Sequence, residues 1–348
     1  MPKSPIIALD ATYSIGEALS GVGLYSREIL LGLTAAHPET RFDFCYRGHR
    51  YLRARREALP PNARRRLLAE PLGPRSAALF HGLNQRLPRI PLRCAVATFH
   101  DLFVMTGEYS TPEFRARFTE QARDAAARAD AIITVSAFTR DQVISLLGVQ
   151  TARVHVVHHG IRSFAGAFES VTREPVVLSV GAIQKRKNLA RLVEAFESLP
   201  DVWRLVLAGS QGYGAAAIIE RIDRSPARQR IQVTGYVSPQ ELSDWYRRAS
   251  IFAFPSLDEG FGMPVLEAMA ARVPVITSDR SALPEVAGDA ALLVNPQDTD
   301  SLRNALLQLA ENPELRCGLI EKGLKRSRSF TWEKAAAETW NVYQSLLQ

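Results

Sequence analysis

Two glutamates, Glu259 and Glu267, flank a glycine-rich turn in the second half of the sequence, which reads Glu-Gly-Phe-Gly-Met-Pro-Val-Leu-Glu. The glycines let the backbone turn tightly and approach a ligand, and Pro264 suits the first position of a helix. The free N–H groups at the start of such a helix form an anion site, while a carboxylate beside them suits sugar or ribose hydroxyls. We therefore expect Glu267 in the first helical turn, facing the same cleft as Glu259.

Three consecutive cations, Lys185, Arg186 and Lys187, lie just after a strand-like apolar run that ends at Val180. Cationic side chains at the carboxyl end of a strand can neutralise a diphosphate leaving group. A solvated cationic face before a helix is the alternative interpretation of the same run.

Two further candidates lie in the first half of the chain. Gly21 and Gly23 open the first long helix, where the alternative is a plain turn that Ser20 caps. His100 follows a strand-like run, and we expect Asp101 to orient its imidazole ring. A buried structural histidine is the alternative there.

No residue pattern indicates a metal site. His158 and His159 are adjacent, and neighbours on a strand point to opposite faces. The triplet Asp298-Thr-Asp300 directly precedes a helical run, which predicts a turn and a helix cap instead of a pair of ligands. The three cysteines are widely spaced and form no C-x-x-C pair, so neither a disulfide framework nor a zinc site is indicated.

Strand and helix patterns alternate along the whole chain, which predicts parallel sheets with helices on both faces. The 348 residues suggest two domains, which we place at residues 1–165 and 172–330, with a linker in the Ser-, Gly- and Ala-rich stretch 161–175. In doubly wound sheets ligands bind at the carboxyl ends of the strands, so two such domains predict a ligand in the cleft between them. The last helix, within residues 331–348, must pack on something, because one of its faces carries Trp332, Ala336, Trp340 and Tyr343.

Positive charge is concentrated in the first half of the chain. Residues 1–166 hold 22 Lys and Arg against 14 Asp and Glu, whereas the remainder holds 21 against 22. The segment from Arg47 to Arg66 contains eight arginines and one acid, which is typical either of a solvated surface or of a face for anionic lipid or substrate. No basic motif of a nucleic-acid module is present. Without a long apolar run or a signal peptide, we expect a soluble, cytoplasmic protein.

Taken together, the motifs resemble those of retaining glycosyltransferases of family 4, in particular bacterial mannosyltransferase-like members. The resemblance covers nearly the whole chain and is strongest from about Val176 to Pro296. The segments that carry it are Ser20-Gly-Val-Gly23-Leu-Tyr25, Val180-Gly-Ala-Ile-Gln-Lys-Arg186-Lys187-Asn188, the Glu259–Glu267 turn and Leu283-Pro-Glu285-Val-Ala-Gly288. It implies the GT-B fold, in which two doubly wound Rossmann-like domains face a central cleft. The first domain would bind the acceptor, with the last helix packing back on it, and the second would bind the donor.

The resemblance also implies a role for each candidate residue. Glu267 would hold the ribose, and Lys187 and Arg186 the diphosphate, with Arg186 replacing a cation that relatives often carry where this chain has Ala182. The residues implied to contact the donor sugar or its phosphate are Glu259, Gly260, Phe261, Gly262 and Met263 from the second domain, and Gly21, Gly23 and His100 from the first. The implied catalytic residues are His100, Lys187 and Glu259. Neither a metal nor any other cofactor is implied.

The implied reaction transfers a hexose with retention from a nucleotide-diphospho-sugar to a hydroxyl of a glycan or lipid-linked acceptor in polysaccharide biosynthesis. GDP-mannose is the first expected donor and a UDP-hexose the second. The arginines from Arg47 to Arg66 fit a peripheral contact with anionic lipid at the inner face of the membrane. A sugar-nucleotide epimerase of the same fold, or a non-catalytic nucleotide- or polyanion-binding protein, is the alternative.

Overall fold

The alternation of strands and helices produces two parallel β-sheets in the computed structural model, which describes residues 5–17, 19–70, 73–162 and 172–348. All strand pairs described in both sheets are parallel. The predicted α/β class with two Rossmann-like domains is confirmed. Most of the predicted linker, residues 163–171, lies outside the described residues.

The first unit comprises the described residues up to Met105, together with Pro112–Gly160 and Phe330–Gln348. Its seven-stranded sheet has the order β3-β2-β1-β4-β5-β6-β7. The strands are β1 (Ile6–Asp10), β2 (Arg41–Arg47), β3 (Ala63–Leu68), β4 (Leu79–Gly82), β5 (Ala95–Phe99), β6 (Ala131–Thr134) and β7 (Val154–Val156). The helices that precede residue 161 are α1 (Gly21–Ala36), α2 (Gly48–Ala54), α3 (Phe103–Thr106), α4 (Pro112–Arg128) and α5 (Ala137–Leu147). They belong to this unit except for Thr106, the last residue of α3, which is part of the second unit.

The second unit comprises Thr106–Thr111 and the described residues of Ile161–Ser329. Its six-stranded sheet has the order β10-β9-β8-β11-β12-β13. The strands are β8 (Glu174–Val180), β9 (Arg204–Ala208), β10 (Ile231–Gly235), β11 (Ala249–Phe254), β12 (Val275–Ser278) and β13 (Ala291–Val294). The helices are α6 (Leu189–Phe196), α7 (Ala215–Asp223), α8 (Pro239–Arg248), α9 (Met263–Ala270), α10 (Leu283–Ala287), α11 (Thr299–Glu311) and α12 (Pro313–Ser327).

The last helix, α13 (Trp332–Leu347), packs in the core of the first unit. A side chain at Gly32 of α1 would bring its Cβ to 2.9 Å from the Cβ of Ala336, so glycine allows the two helices to approach closely. Tyr343 is fully buried, and Trp340 stacks on His37 with ring centroids 3.7 Å apart. Among the helices described, none is both long enough and apolar enough to cross a membrane.

The central strands explain why the apolar runs in the sequence do not alternate. All five residues of β5 are buried, and so are the last four of β11. A parallel strand covered by helices on both sides needs apolar side chains on both faces. The polar residues that follow these runs, such as His100 after β5 and Ser256 after β11, therefore mark the carboxyl-terminal edge of each sheet, and both are buried there.

Candidate active site

Two of the sequence motifs meet at the centre of the second sheet. β8 and β11 are hydrogen-bonded neighbours, and the strand order reverses between them because the chain runs outward to β10 on one side and to β13 on the other. In open α/β sheets the crevice at this reversal is the usual ligand site. The three-cation run follows β8, and the turn that contains Glu259 follows β11, so the fold brings together residues that are 72 positions apart.

The loop after β8 depends on two glycines. Gly181 has φ +135°, a conformation that side-chain-bearing residues rarely adopt. A Cβ at Gly209, at the end of the neighbouring strand β9, would lie 2.0 Å from the carbonyl oxygen of Gly181. A Cβ at Gly181 itself would lie 3.2 Å from Cε of Lys187. The aliphatic stem of Lys187 therefore passes over bare backbone, which lets its ammonium group reach the adjacent loop.

Glu259 forms a buried ion-pair triad with two of the three cations. Its Oε1 lies 2.6 Å from Nζ of Lys187, and its Oε2 lies 2.8 Å from a guanidinium nitrogen of Arg186. The side chains of Arg186, Glu259 and Lys187 are only 9%, 10% and 12% exposed. Lys187 also lies over the ring of Phe254, 4.3 Å from its centroid. Lys185, by contrast, is exposed, so the structure separates three cations that the sequence presents as one run.

The two cations determine the ionisation of Glu259. Burial raises the pKa of Glu259, but the charges and hydrogen bonds of Arg186 and Lys187 outweigh burial and lower it to about 2. The carboxylate is therefore ionised at neutral pH. With two cations and one anion, the triad presents a net charge of +1, which favours an anionic ligand at this edge of the sheet.

Asn188 directly follows the three cations Lys185, Arg186 and Lys187. It has a structural role that the sequence did not indicate. It adopts the left-handed conformation with φ +58°. Its Nδ2 donates hydrogen bonds to the carbonyl oxygens of Pro255 (3.1 Å) and Pro296 (2.6 Å). These two carbonyls follow β11 and β13, so one buried amide fixes the loop after β8 against two other strand ends.

Asp258 is a second buried carboxylate beside the triad, and sequence reasoning missed it. Arg186 donates a hydrogen bond to its backbone carbonyl, and the hydroxyl of Thr106 donates to its Oδ2 at 2.8 Å. Burial raises the pKa of Asp258, against the opposing effects of Thr106 and Arg186. Its position directly before Glu259 is the one signal that would have drawn attention to it.

The glycine turn leads into α9. Gly262 has φ +105°, and a Cβ there would lie 2.7 Å from Cδ2 of Leu283, so this position requires glycine. The predicted site residues Gly260 and Phe261 are buried, whereas Met263, which begins the helix, is partly exposed. Pro264 therefore occupies the second helical position, one later than predicted.

Glu267 is the fifth residue of α9 and lies in its second turn, so the expectation of a first-turn position is wrong. It is 5% exposed, and its Oε2 accepts a hydrogen bond from the hydroxyl of Tyr246 at 3.1 Å. Its Oε1 lies 3.7 Å from Nε of Arg162. Burial raises the pKa of Glu267, while Arg162 and Tyr246 act in the opposite direction. Neither partner carried a signal in the sequence, because both are distant along the chain.

The first unit holds the remaining predicted residues. Ser20 caps α1 by accepting a hydrogen bond from the N–H of Gly23 at 3.2 Å, with Gly21 as the first helical residue. A Cβ at Gly23 would lie 2.8 Å from the carbonyl oxygen of Tyr13, so close packing accounts for this glycine. The implied contacts of Gly21, Gly23 and His100 with a donor stay predictions.

His100 belongs to a buried cluster of aromatic and hydroxyl side chains. Its Nε2 donates to the carbonyl of Leu83 at 2.9 Å, and its Nδ1 lies 3.4 Å from Nε2 of His159. The prediction that Asp101 orients this ring is wrong, because these two partners occupy both ring nitrogens. The edge of Tyr25 packs on His100 and on His159, at centroid distances of 4.7 and 4.9 Å.

Further hydrogen bonds extend this cluster through the side chains of Thr98, His81 and Tyr343. The hydroxyl of Thr98 lies 2.9 Å from that of Tyr25 and 2.8 Å from Nε2 of His81. The other ring nitrogen of His81 lies 2.5 Å from the hydroxyl of Tyr343. Burial lowers the pKa of His81 to about 3 and that of His100 to about 4. The same cause lowers the pKa of His159 well below its usual range.

We expect the first unit to lose stability as the pH falls from about 6.5 toward 4.5. In the unfolded chain His81, His100 and His159 titrate near pH 6.5, whereas in the folded unit they stay neutral to lower pH. The unfolded state then binds more protons, so their contribution is complete above pH 6.5 and decreases by up to about 1.4 kcal/mol per pH unit for each histidine. Urea-unfolding midpoints measured from pH 7.5 to 4.5 test this.

His159→Gln should flatten that pH dependence, because one neutral buried imidazole is removed. His49→Gln is the matched control, since His49 is exposed, and should leave the slope unchanged. A midpoint that stays constant between pH 7 and 4.5 would contradict the assignment of neutral buried histidines.

The other predicted features are placed as follows. Asp298 caps α11 by accepting a hydrogen bond from the N–H of Asp300 at 2.9 Å, which confirms the turn and the cap. Within the part of the chain that the structure describes, no group of three or more potential metal-ligating side chains is clustered.

In the segment from Arg47 to Arg66, several arginines have internal partners. Arg47 pairs with Asp10, and Arg64 and Arg66 both pair with buried Asp43. The membrane contact of this segment stays a prediction.

Comparisons with known proteins agree with this architecture. Residues 163–326 match the family model "Glycosyl transferases group 1", and residues 73–163 match "Glycosyltransferase Family 4". The O-antigen chain mannosyltransferase B of Escherichia coli is 32% identical over 289 residues, which cover 77% of this chain and 74% of that protein. The sucrose-phosphate synthase of Thermosynechococcus elongatus has a similar structure, with a TM-score of 0.79, 21% identity and 99% coverage of both chains. HepE of Anabaena, solved in complex with UDP and glucose, has a TM-score of 0.74, 16% identity and coverage of 98% and 100%.

Proposed function

The chain belongs to the family 4 glycosyltransferases with the GT-B fold, and we propose that it transfers mannose from GDP-mannose to a hydroxyl group of a glycan acceptor with retention of the anomeric configuration. Membership in this family makes the chain a glycosyltransferase. The mannosyl donor is supported by the relative with 32% identity, which is an O-antigen mannosyltransferase. The observation that carries the proposal is the buried triad of Arg186, Glu259 and Lys187 at the strand reversal of the second sheet.

In the proposed reaction, Arg186 and Lys187 bind the diphosphate of the donor. The bond between the anomeric carbon and the phosphate oxygen breaks, the acceptor oxygen bonds to that carbon, and the departing phosphate takes the acceptor proton. Negative charge grows on the phosphate oxygen as the bond breaks. Two fixed cations therefore stabilise the transition state more than the bound donor, which is the condition for faster chemistry. Because they already supply positive charge at the diphosphate, we propose that transfer requires no metal ion.

The two carboxylates of the glycine turn, Glu259 and Glu267, have different proposed roles. Glu259 is ionised and is held by a cation at each oxygen, so its remaining lone pairs can accept hydrogen bonds from hydroxyls of the transferred sugar. Glu267 is oriented by Tyr246, and we assign it to the ribose hydroxyls. Gly260 and Gly262 carry no side chain, which allows a ligand to approach the backbone at this edge.

The donor is tested by thermal unfolding with GDP, UDP, ADP and their sugar conjugates. GDP at about 100 times its dissociation constant should stabilise the protein by about 2.7 kcal/mol, which raises the unfolding midpoint by several degrees. With methyl α-D-mannoside as a generic acceptor, GDP-mannose should yield an α-linked product by NMR, and EDTA should leave the rate unchanged. A midpoint shift with UDP or ADP alone, a β-linked product or loss of transfer in EDTA would each overturn the corresponding part of the proposal.

A further inference from the structure

The first unit contains a charged groove that the proposed donor site does not use. Two adjoining cavities, of about 960 and 310 Å³, share the lining residues Arg89, Glu120 and Asp124. All of their lining residues belong to the first unit. The larger cavity is at the upper end of the size range of small-molecule sites, which is about 300–1,000 Å³.

The groove lies at the ligand-binding edge of the first sheet. Arg47 is the last residue of β2, Glu70 follows the end of β3 by two residues, and Arg86 follows the end of β4 by four. One face of α4 forms the other wall, through Arg115 and Arg123 among others. Because ligands of doubly wound sheets bind beyond the carboxyl ends of the strands, this position favours a binding site over an incidental surface depression.

The described residues that line the groove include more cations than anions. Six arginines face three acids, and each acid already has a partner. Glu120 pairs with Arg89 at 3.3 Å, and Glu70 accepts a hydrogen bond from the backbone N–H of the same arginine at 2.7 Å. Asp124 pairs with Arg128 at 2.9 Å. Glu120 and Asp124 are therefore paired with Arg89 and Arg128, and the lining side chains carry a formal excess of three positive charges.

Three of the groove arginines make no ion pair with any described carboxylate. They are Arg86, Arg117 and Arg123, and Arg117 instead lies over the ring of Phe114 at 5.5 Å from its centroid. The guanidinium group matches phosphate oxygens with two parallel N–H donors, which makes arginine the preferred side chain for this anion. Several uncompensated guanidinium groups around one groove therefore indicate a phosphate-bearing ligand.

We infer that this groove binds a phosphate or diphosphate group of the acceptor substrate. The inference rests on the proposed function, because a glycosyltransferase whose donor binds to the second unit needs a separate place for its acceptor. The phosphate could belong to a lipid-linked saccharide or to a soluble sugar phosphate. Both present the same anionic group to the arginines, so the experiment must separate them.

Binding of farnesyl diphosphate and of inorganic pyrophosphate, measured by calorimetry with GDP at saturation, tests the groove. GDP occupies the cations of the second unit, so that the probes report on the first unit. Arg86→Gln combined with Arg123→Gln should weaken probe binding at least tenfold, because two guanidinium partners of the phosphate are lost. Arg41→Gln with Arg75→Gln is the matched control, since both arginines are exposed and lie outside the groove, and it should change binding less than twofold.

The two probes distinguish the sources of the phosphate. Tenfold weakening with both probes assigns the groove to the phosphate group itself, whereas weakening confined to farnesyl diphosphate assigns it to a lipid-linked acceptor. Unchanged binding of both probes to the folded Arg86→Gln/Arg123→Gln variant overturns the inference, as does failure of both probes to bind the unaltered protein. Should the double variant not fold, Arg117→Gln takes its place. A failure of GDP itself to bind would count against the proposed function and not against the groove.

Discussion

Replacing Lys187 by methionine is expected to lower kcat about 10²–10³-fold, the range observed when one preorganised donor to a developing anion is removed. Methionine keeps most of the aliphatic stem that lies over Gly181 and Phe254, but it removes the charge 2.6 Å from Glu259. The loss should fall mainly on kcat because the cation opposes charge that develops as the donor bond breaks. Steady-state kinetics of GDP-mannose consumption measure it.

The neighbouring residue provides a matched control. Lys185 lies in the same short 3-10 turn but is exposed, so Lys185→Met should keep kcat within about twofold. Glu267→Gln should affect the kinetic constants differently from Lys187→Met. Loss of a ribose contact should raise the KM for the donor and change kcat less. If Lys187→Met transferred mannose at the rate of the unaltered protein, the assignment of the diphosphate to this triad would be wrong.

The edge of the sheet at which this chemistry is placed was predictable from the sequence. Parallel connectivity puts the carboxyl ends of all strands on one side, so motifs directly after β8 and β11 had to emerge at the same edge. The end of β8 at Val180 is the end that the sequence predicts. Long apolar runs predict buried parallel strands well, because both faces of such strands demand the same residue types.

The partners within the site were not predictable in the same way. Sequence reasoning assigned Glu259 to the sugar and Arg186 and Lys187 to the diphosphate, and it did not foresee that the three side chains pair with one another. Side-chain direction depends on loop geometry that no spacing rule describes. The positive φ of Gly181, which brings Lys187 over bare backbone, is one such feature.

His100 illustrates the same limit in the first unit. Asp101 was expected to orient it because the two residues are adjacent, whereas a contact between residues that are distant along the chain leaves no signal in a single sequence. The partners in the structure, Leu83 and His159, are 17 and 59 positions away. Tertiary packing of β4, β5 and the segment after β7 brings them together, so the local expectation failed for a non-local reason.

Glu259→Gln is expected to destabilise the second unit by about 3–5 kcal/mol, the usual cost of breaking a buried ion pair from one side. Glutamine has the shape of glutamate but no charge, so Arg186 and Lys187 would remain buried without a counter-ion. For a unit of this size the cost corresponds to a fall in the unfolding midpoint of roughly 6–20 °C. Thermal and urea unfolding without ligand measure it, and a midpoint within about 2 °C of the unaltered protein would contradict the triad.

Two further measurements separate this charge effect from loss of shape. Because the pKa of Glu259 is lowered to about 2 in the folded protein, its contribution is complete above about pH 4.5 and is lost as the pH falls toward 2. That part of the acid dependence should disappear in Glu259→Gln. Adding Lys187→Met should recover part of the lost stability, since one unpaired buried charge is removed, and such a gain is the sign of coupling between contacting residues.

The same variant connects stability to the proposed chemistry. In the unaltered protein a nucleoside diphosphate must share Arg186 and Lys187 with the carboxylate of Glu259, whereas in Glu259→Gln those cations have no other anion. We therefore expect GDP to raise the unfolding midpoint of Glu259→Gln by more degrees than that of the unaltered protein, even though the loss of the charged contact to the sugar should lower its rate of transfer. A smaller GDP shift in the variant would mean that the diphosphate does not bind at this triad, whatever the loss of activity.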